Sequence, residues 1–327
     1  VDVSVDRVEG GSSALVQALV NGDIHLANLA AAPLVLANLD GADLVCVMGL
    51  VNKLVFQVMT VPEVRSVADL RGRTLASAPR NTADVVWQWF LPQHGLQPGI
   101  DVELREIPSQ PKQMGALRRG EIHGMTLSPA GSAYLRQEGF NELVDFSVMD
   151  VDFQLGCVVT TRRFAQAQPD ETMRYISAYV EAIRRYRGDR AAGLKVLRGY
   201  TGIADEDVLL RTYEVFARTF QDWPYPSEAG FATVIDTVAQ MDSRAKGLVP
   251  ADFIELRFLD DLRRKEPAGV QAHGCVGVAP QQWNARTRHE MPGHAPSSLQ
   301  GGRSKVLVTH PSLIFGRESN RWVTRSR

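Results

Sequence analysis

The sequence predicts an α/β protein of two lobes, each a mixed sheet flanked by helices. Three observations lead there. The chain matches itself at an offset of about 98 residues. Each copy runs in the same order of strand, loop, helix and strand. The second copy is also preceded by a strand and a helix start of its own, which tandem repeats in one sheet would not need.

The self-match is direct. Ala18-Leu19-Val20-Asn21-Gly22-Asp23-Ile24-His25 recurs as Ala116-Leu117-Arg118-Arg119-Gly120-Glu121-Ile122-His123, and Gly41 before Leu44-Val45 recurs as Gly139 before Leu143-Val144. Each copy opens on an alternating strand, Val1, Val3 and Val5 in the first and Ile100, Val102 and Leu104 in the second. A polar loop follows. Next comes a helix that ends at Gly22 or Gly120, where glycine suits a left-handed cap. A second strand, Ile24 to Leu29 or Ile122 to Leu127, leads into another loop and helix. Tandem βα units build sheets with helices on their faces. One larger doubly wound sheet is the alternative arrangement. Leu75-Ala76-Ser77-Ala78 as a strand and Val85 to Leu91 as a helix, both ahead of the second copy, favour two lobes.

The apolar runs after each unit connect the lobes. Leu54 to Met59 reads as a buried strand, broken from Val45 to Val51 at Gly49 and Asn52-Lys53. Phe153 to Thr160 is its counterpart. Beyond Pro169 the pattern turns helical, with Asp170 positioned to cap Thr172 to Tyr186. Further helices are expected at Ala191 to Tyr200, Asp205 to Phe220, Ala229 to Met241 and Phe253 to Lys265. The expected organisation is a first lobe over 1–60, a second lobe with its hinge strands over 61–160, and a helical region over 161–266 that bridges them. Residues 267–327 are expected to be a disordered basic tail in which only Val306-Leu307-Val308 looks strand-like. That tail holds eight Lys/Arg and two Glu, and its removal is expected to leave the thermal midpoint nearly unchanged.

Composition narrows the function. The 327 residues are 44% hydrophobic and 22% charged, with a formal net charge of −1. Such a chain has material for a large core and no overall field to recruit nucleic acid or an anionic membrane. Three scattered cysteines, Cys46, Cys157 and Cys275, make neither a disulfide framework nor a zinc cluster. No stretch reaches the roughly 18 apolar residues of a membrane span. No metal or cofactor motif is present.

In open α/β sheets ligands bind beyond the carboxyl ends of strands, against helix N-termini whose free N–H groups favour negative charge. Four loops qualify, and they supply the candidate ligand residues: Gly11, Ser12 and Ser13; Asn28 and Ala31; Arg80, Asn81 and Thr82; Thr126 and Ser128. Asn52 and Lys53 join them from the crossover. Arg80 is the candidate clamp for an anionic group. Each has a plainer role available: Ser12 or Ser13 as a helix cap, Arg80 as solvated surface, Asn52-Lys53 as a turn. Trp87 and Trp89 are two apart and cannot share one helix face. His25 and His123 match in the repeat, which suggests a structural part at strand starts.

These stretches resemble a known family, the substrate-binding proteins of ABC importers in the sulfonate, taurine, nitrate and pyrimidine-precursor (NMT1/THI5-like) group. The resemblance lies in Gly10-Gly11-Ser12-Ser13, Gly41-Ala42-Asp43-Leu44-Val45, Ala116 to Ile122 and Val249 to Ile254. Ser66-Val67-Ala68-Asp69-Leu70-Arg71-Gly72-Arg73-Thr74-Leu75-Ala76 is its most specific part. It runs from about Val1 to Lys265. It implies a type II periplasmic-binding-protein fold and a small-molecule ligand held between two lobes. It further implies delivery to an ABC permease and its ATPase, a periplasmic or otherwise extracytoplasmic location, and a monomer. Contact with the membrane would come only through the transporter or a lipid anchor. Two departures accompany it: the family's first strand and helix are expected to lie before Val1, together with any export signal, and the tail after Lys265 has no counterpart. The alternative is an enzyme on the same fold, such as a pyrimidine-precursor synthase or a decarboxylase-like protein. No paired acid and base, activated nucleophile or cysteine cluster supports it. A ligand-sensing domain of a regulator would need a helix-turn-helix that the sequence does not show.

Overall fold

The computed structural model describes residues 5–6, 11–78, 80–266 and 306–308. Two five-stranded sheets organise them. In chain order the first half holds β1 (Val5–Asp6), α1 (Gly11–Asn21), β2 (Leu26–Leu29), α2 (Ala31–Leu39), β3 (Leu44–Lys53), β4 (Gln57–Thr60), β5 (Thr74–Ser77) and α3 (Thr82–Gln93). The repeat follows as β6 (Glu103–Glu106), α4 (Gln110–Arg118), β7 (Gly124–Leu127), α5 (Pro129–Gln137) and β8 (Asn141–Asp145). Then come β9 (Asp152–Thr161), α6 (Arg162–Ala167), α7 (Pro169–Gly188), α8 (Arg190–Thr201), α9 (Glu206–Thr219), α10 (Glu228–Met241), α11 (Arg257–Lys265) and β10 (Val306–Val308).

The repeat in sequence is a repeat in structure. β2 and β7 coincide residue for residue at the 98-residue offset, and so do α2 and α5. The glycines that close α1 and α4 both adopt left-handed backbone, Gly22 at φ 78° and Gly120 at φ 69°. An L side chain is disfavoured there, so glycine lets each helix stop and turn into its strand.

The first sheet has the order β1-β10-β2-β9-β3 and the second β6-β5-β7-β4-β8. β4 lies in the second sheet and β9 in the first, so the chain crosses between sheets at Leu54–Phe56 and again before Asp152. The break expected at Gly49 is a set of register shifts instead. β3 runs unbroken past Gly49, with bulges against β9 between Cys46 and Met48 and between Gly49 and Val51. Ile100, expected to open the sixth strand, is an exposed turn residue, and pairing starts at Glu103.

Val306–Val308, the one stretch of 267–327 that looks strand-like in the sequence, is a strand, parallel to both neighbours, lying between β1 and β2. Three consecutive apolar β-formers find partners there that short-range pattern cannot reveal. The remainder of 267–327 lies outside the described residues, as do most of the first expected strand and Pro79.

The helices after β9 join the sheets. α9 packs on α5 and on α8, while α10 packs on β9, α2 and α3. Gln137 of α5 donates to Asp205, 3.0 Å, which also caps α9. α7 buries Tyr175, Ile176, Val180 and Ile183 on one face, and it starts at Pro169 rather than behind an Asp170 cap. The main core runs from the first sheet into α3. Trp87 there is fully buried and donates to the Ala76 carbonyl at 2.9 Å. Among the described residues, no helix is long and apolar enough to cross a membrane.

Candidate functional site

The four sequence-predicted loops all prove to be strand-to-helix junctions or helix starts, two from each lobe. Each helix start leaves backbone N–H groups in need of acceptors. How each is satisfied separates the candidates.

At the start of α3 the need is met from within. Asn81 caps the helix by accepting from the Asp84 N–H at 3.0 Å. The Asp84 carboxylate in turn accepts from Ser77 Oγ, 3.3 Å, and sits beside the Arg80 N–H. Burial holds the Asp84 carboxyl above its ordinary range, against the lowering effect of those donors. Thr82 is the half-buried first residue of the helix. Arg80 itself turns away to the first lobe, where its guanidinium donates to the Leu36 carbonyl at 3.0 Å and pairs with Asp40. Both acceptors lie at the C-terminal end of α2, where a cation is favoured. Arg80 is therefore an inter-lobe tie in this structure, and its φ of 63° places it in left-handed backbone.

The starts of α2 and α5 are different. Ala30 precedes α2 in extended backbone and its methyl group can accept nothing. Ala31 and Ala32, the first two helical residues, are fully buried. Ser128 precedes α5 in the same conformation and makes no cap hydrogen bond. Its Oγ is buried, with no partner among the described residues. Ala30 and Ser128 are equivalent positions of the repeat. Each lobe thus offers one buried helix N-terminus without a side-chain acceptor, at the carboxyl end of a central strand.

Polar residues gather beside these two starts. Asn28, in β2, is 7% exposed and donates from Nδ2 to the Tyr179 hydroxyl at 2.9 Å; its Oδ1 is buried without a partner among the described residues. Burial pushes the Tyr179 phenol up to about 12. Thr126 is the equivalent of Asn28 and is buried in β7, paired across the sheet with Val58. Ser132, one turn after Ser128, donates to Gln57 Oε1 at 2.9 Å, and Gln57 Nε2 reaches Asp145 at 2.8 Å. The sequence pointed to neither Tyr179 nor the Gln57–Ser132 pair. Gln57 was visible only as a lone polar residue in the apolar run Leu54 to Met59.

The crossover residues make contacts of another kind, although Asn52 Oδ1 is also buried without a partner among the described residues. Asn52 donates to the Tyr225 carbonyl at 2.7 Å and packs against Gly49, so it fastens β3 to the loop before α10. Lys53 bridges Asp152 at 2.7 Å and Asp150 at 2.9 Å. Hydrogen bonds to Asp152 and then Asp150 raise its ammonium above the ordinary range. At α1, Gly11 is the first helical residue, Ser12 is half-buried and Ser13 exposed. His25 stacks on Phe164 with ring centroids 4.6 Å apart, and His123 Nδ1 accepts from the Thr74 N–H at 3.2 Å. Trp89 is half-buried, edge-on to Phe146. Among the described residues no group of three or more His, Cys, Asp or Glu could hold a metal ion.

Solved structures share this architecture. A protein from Bordetella bronchiseptica RB50 superposes with a TM-score of 0.64 at 23% identity, over 81% of this chain and 88% of its own. The alkanesulfonate-binding protein SsuA from Xanthomonas axonopodis pv. citri, bound to MOPS, gives 0.63 at 20% identity over 75% and 85%. The periplasmic aliphatic sulphonate binding protein SsuA from Escherichia coli gives 0.61 at 18% identity over 84% and 86%. The fold is that of the periplasmic binding proteins. No curated protein matches the sequence. The family model described as NMT1/THI5 like matches residues 1–187, more than half of the chain. By that match, and by the two-lobed fold it shares with the SsuA proteins, the chain belongs to the NMT1/THI5-like family.

Proposed function

We propose that the chain is the extracytoplasmic solute-binding component of an ABC importer, a monomer that captures a small organic anion between its lobes and delivers it to the permease and ATPase. One observation carries this reading: the equivalent helix starts at Ala31 and Pro129, one per lobe, both without a side-chain acceptor, with the unpartnered Ser128 Oγ at the second. Buried N–H groups of this kind are stabilised by an incoming anion. Asn28 Oδ1 and Ser128 Oγ add polar contacts that fix a ligand's orientation. Closure of the lobes would then sequester the ligand.

The two SsuA proteins are named for alkanesulfonate and aliphatic sulphonate binding, so sulfonates come first in the test. A thermal-shift screen of the full chain against alkanesulfonates, taurine, nitrate, pyrimidine precursors and aromatic acids should find one class that raises the midpoint, and titration calorimetry should then give saturable binding. Ligand at about 100 times its Kd stabilises by about 2.7 kcal/mol, which is readily seen. Turnover of a bound compound into a new product would overturn the reading in favour of an enzyme on this fold.

A further inference from the structure

The first sheet is completed from the far end of the chain. β10 is inserted between β1 and β2, with Val5 opposite Val306 and Asp6 opposite Leu307 on one side, and Leu26, Ala27 and Asn28 opposite Val306, Leu307 and Val308 on the other. Among the described residues β1 pairs with nothing else. β2 pairs with β9 on its other edge, and all four of its residues are buried. Its N–H and C=O groups toward β10 would otherwise be unsatisfied inside the protein, which costs about as much as the lost hydrogen bonds. A slot between two strands that accepts a third, parallel one is a strand-binding site.

We propose that this slot is a docking site for the chain's own C-terminal strand, Val306–Val308, and that the segment is an integral part of the first lobe and not an appended tail. The composition fits: three β-branched or aliphatic residues enter between two parallel strands, and continuous apolar runs are the sequence pattern of parallel sheets. Reach fits as well. The 39 residues from Pro267 to Lys305 can span on the order of 130 Å when extended. Tethering also holds the strand at an effective concentration that a separate copy would have to match. There is a consequence for the site. Val308 is paired with Asn28, so β10 fixes the register of the strand that carries this candidate ligand residue. That consequence rests on the proposed binding function; the docking does not.

The test is a cross-link in the full chain. Adjacent strands lie about 4.8 Å apart, inside the window for a disulfide. Asp6→Cys with Leu307→Cys, on a Cys275→Ser background, should oxidise to an intramolecular disulfide and migrate as a compact monomer on non-reducing gels. Asp6→Cys with Glu103→Cys, which lies in β6 at the edge of the other sheet, should not. Absence of the first link would overturn the proposal. A cross-linked dimer would overturn it too, since a second copy would then fill the slot. Hydrogen exchange on the unaltered chain gives an independent readout: the amides of 306–308 should exchange about 100-fold or more slowly than unstructured ones, and free exchange there would refute the docking. Neither measurement involves a ligand, so their failure is separate from a failure to bind one.

Discussion

Arg80, which follows β5 in the second sheet, reaches across to Asp40 at the end of the first lobe's second helix. Arg244 reaches the same carboxylate at 3.1 Å and also holds Asp242 at 2.6 Å. The residue expected to clamp an anionic ligand is paired, in this structure, with a carboxylate of the other lobe.

This makes a prediction that separates the two roles. If Arg80 acts through this pair, Arg80→Ala and Asp40→Ala change ligand affinity alike, by a few-fold, and the double variant adds little more. The pair is exposed, so its stability contribution should stay within about 1 kcal/mol. Calorimetry on the three variants decides the matter. Loss of affinity in Arg80→Ala with Asp40→Ala unchanged would restore the direct clamp.

Ser128→Ala should leave stability within about 0.5 kcal/mol of the parent, because the hydroxyl has no hydrogen bond to lose. Ligand affinity should nonetheless fall about fivefold to tenfold, equivalent to roughly 1 kcal/mol of lost contact. Urea denaturation and titration calorimetry measure the two halves separately. Unchanged affinity would remove Ser128 from the site.

Gly49→Ala should damage the hinge region. An added Cβ would stand 2.7 Å from both Pro226 Cα and the Tyr225 carbonyl oxygen, and 2.6 Å from Asn52 Oδ1. Two of those neighbours are backbone and cannot swing aside, and the Gly49 N–H already donates to the Pro224 carbonyl at 2.8 Å. The expected cost is about 1–3 kcal/mol, as for overpacking elsewhere, visible in the thermal midpoint.

Trp87→Ala should cost about 3–5 kcal/mol, the range for emptying a large buried aromatic site. Trp87→Phe should lose less, mainly by leaving the Ala76 carbonyl without its donor. Denaturant midpoints at constant slope would check the order.

Alkaline pH should destabilise the protein through its buried and half-buried tyrosines. The folded-state pKa of Tyr179 is raised from 10.0 to about 12, chiefly by burial, and Tyr175 and Tyr186 are raised as well. Both folded and unfolded chains hold these protons below about pH 10, so stability there is unaffected. Between about pH 10 and about 12 the unfolded chain releases them first, and stability falls as pH rises. Thermal midpoints read alongside tyrosinate absorbance should show the drop, and Tyr179→Phe should reduce it.

Much of the fold was legible in the sequence because it depends on short-range pattern. The βα repeat could be read from periodicity and from Gly22 and Gly120, since a helix that must stop and turn needs left-handed backbone there. The same offset located the candidate loops, including the equivalent positions Ala30 and Ser128. Residue roles within the loops were less legible. Arg80 read as an anion clamp or solvated surface and Lys53 as a ligand residue or part of a turn, yet their partners Asp40, Asp150 and Asp152 stand 40, 97 and 99 residues along the sequence from them.

The sequence by itself determined the α/β class, the two repeated units and the places where helix N-termini meet strand ends, because dihedral preference and hydrophobic period act over a few residues. Only the tertiary structure decided which of those helix starts remain without acceptors, and that Asn52 faces Tyr225. It alone placed Val306–Val308 between the first two strands. Each of those outcomes is a pairing of polar groups across a large sequence separation. Such a pairing is fixed by the requirement that buried N–H and C=O groups find partners in space, which no local pattern encodes.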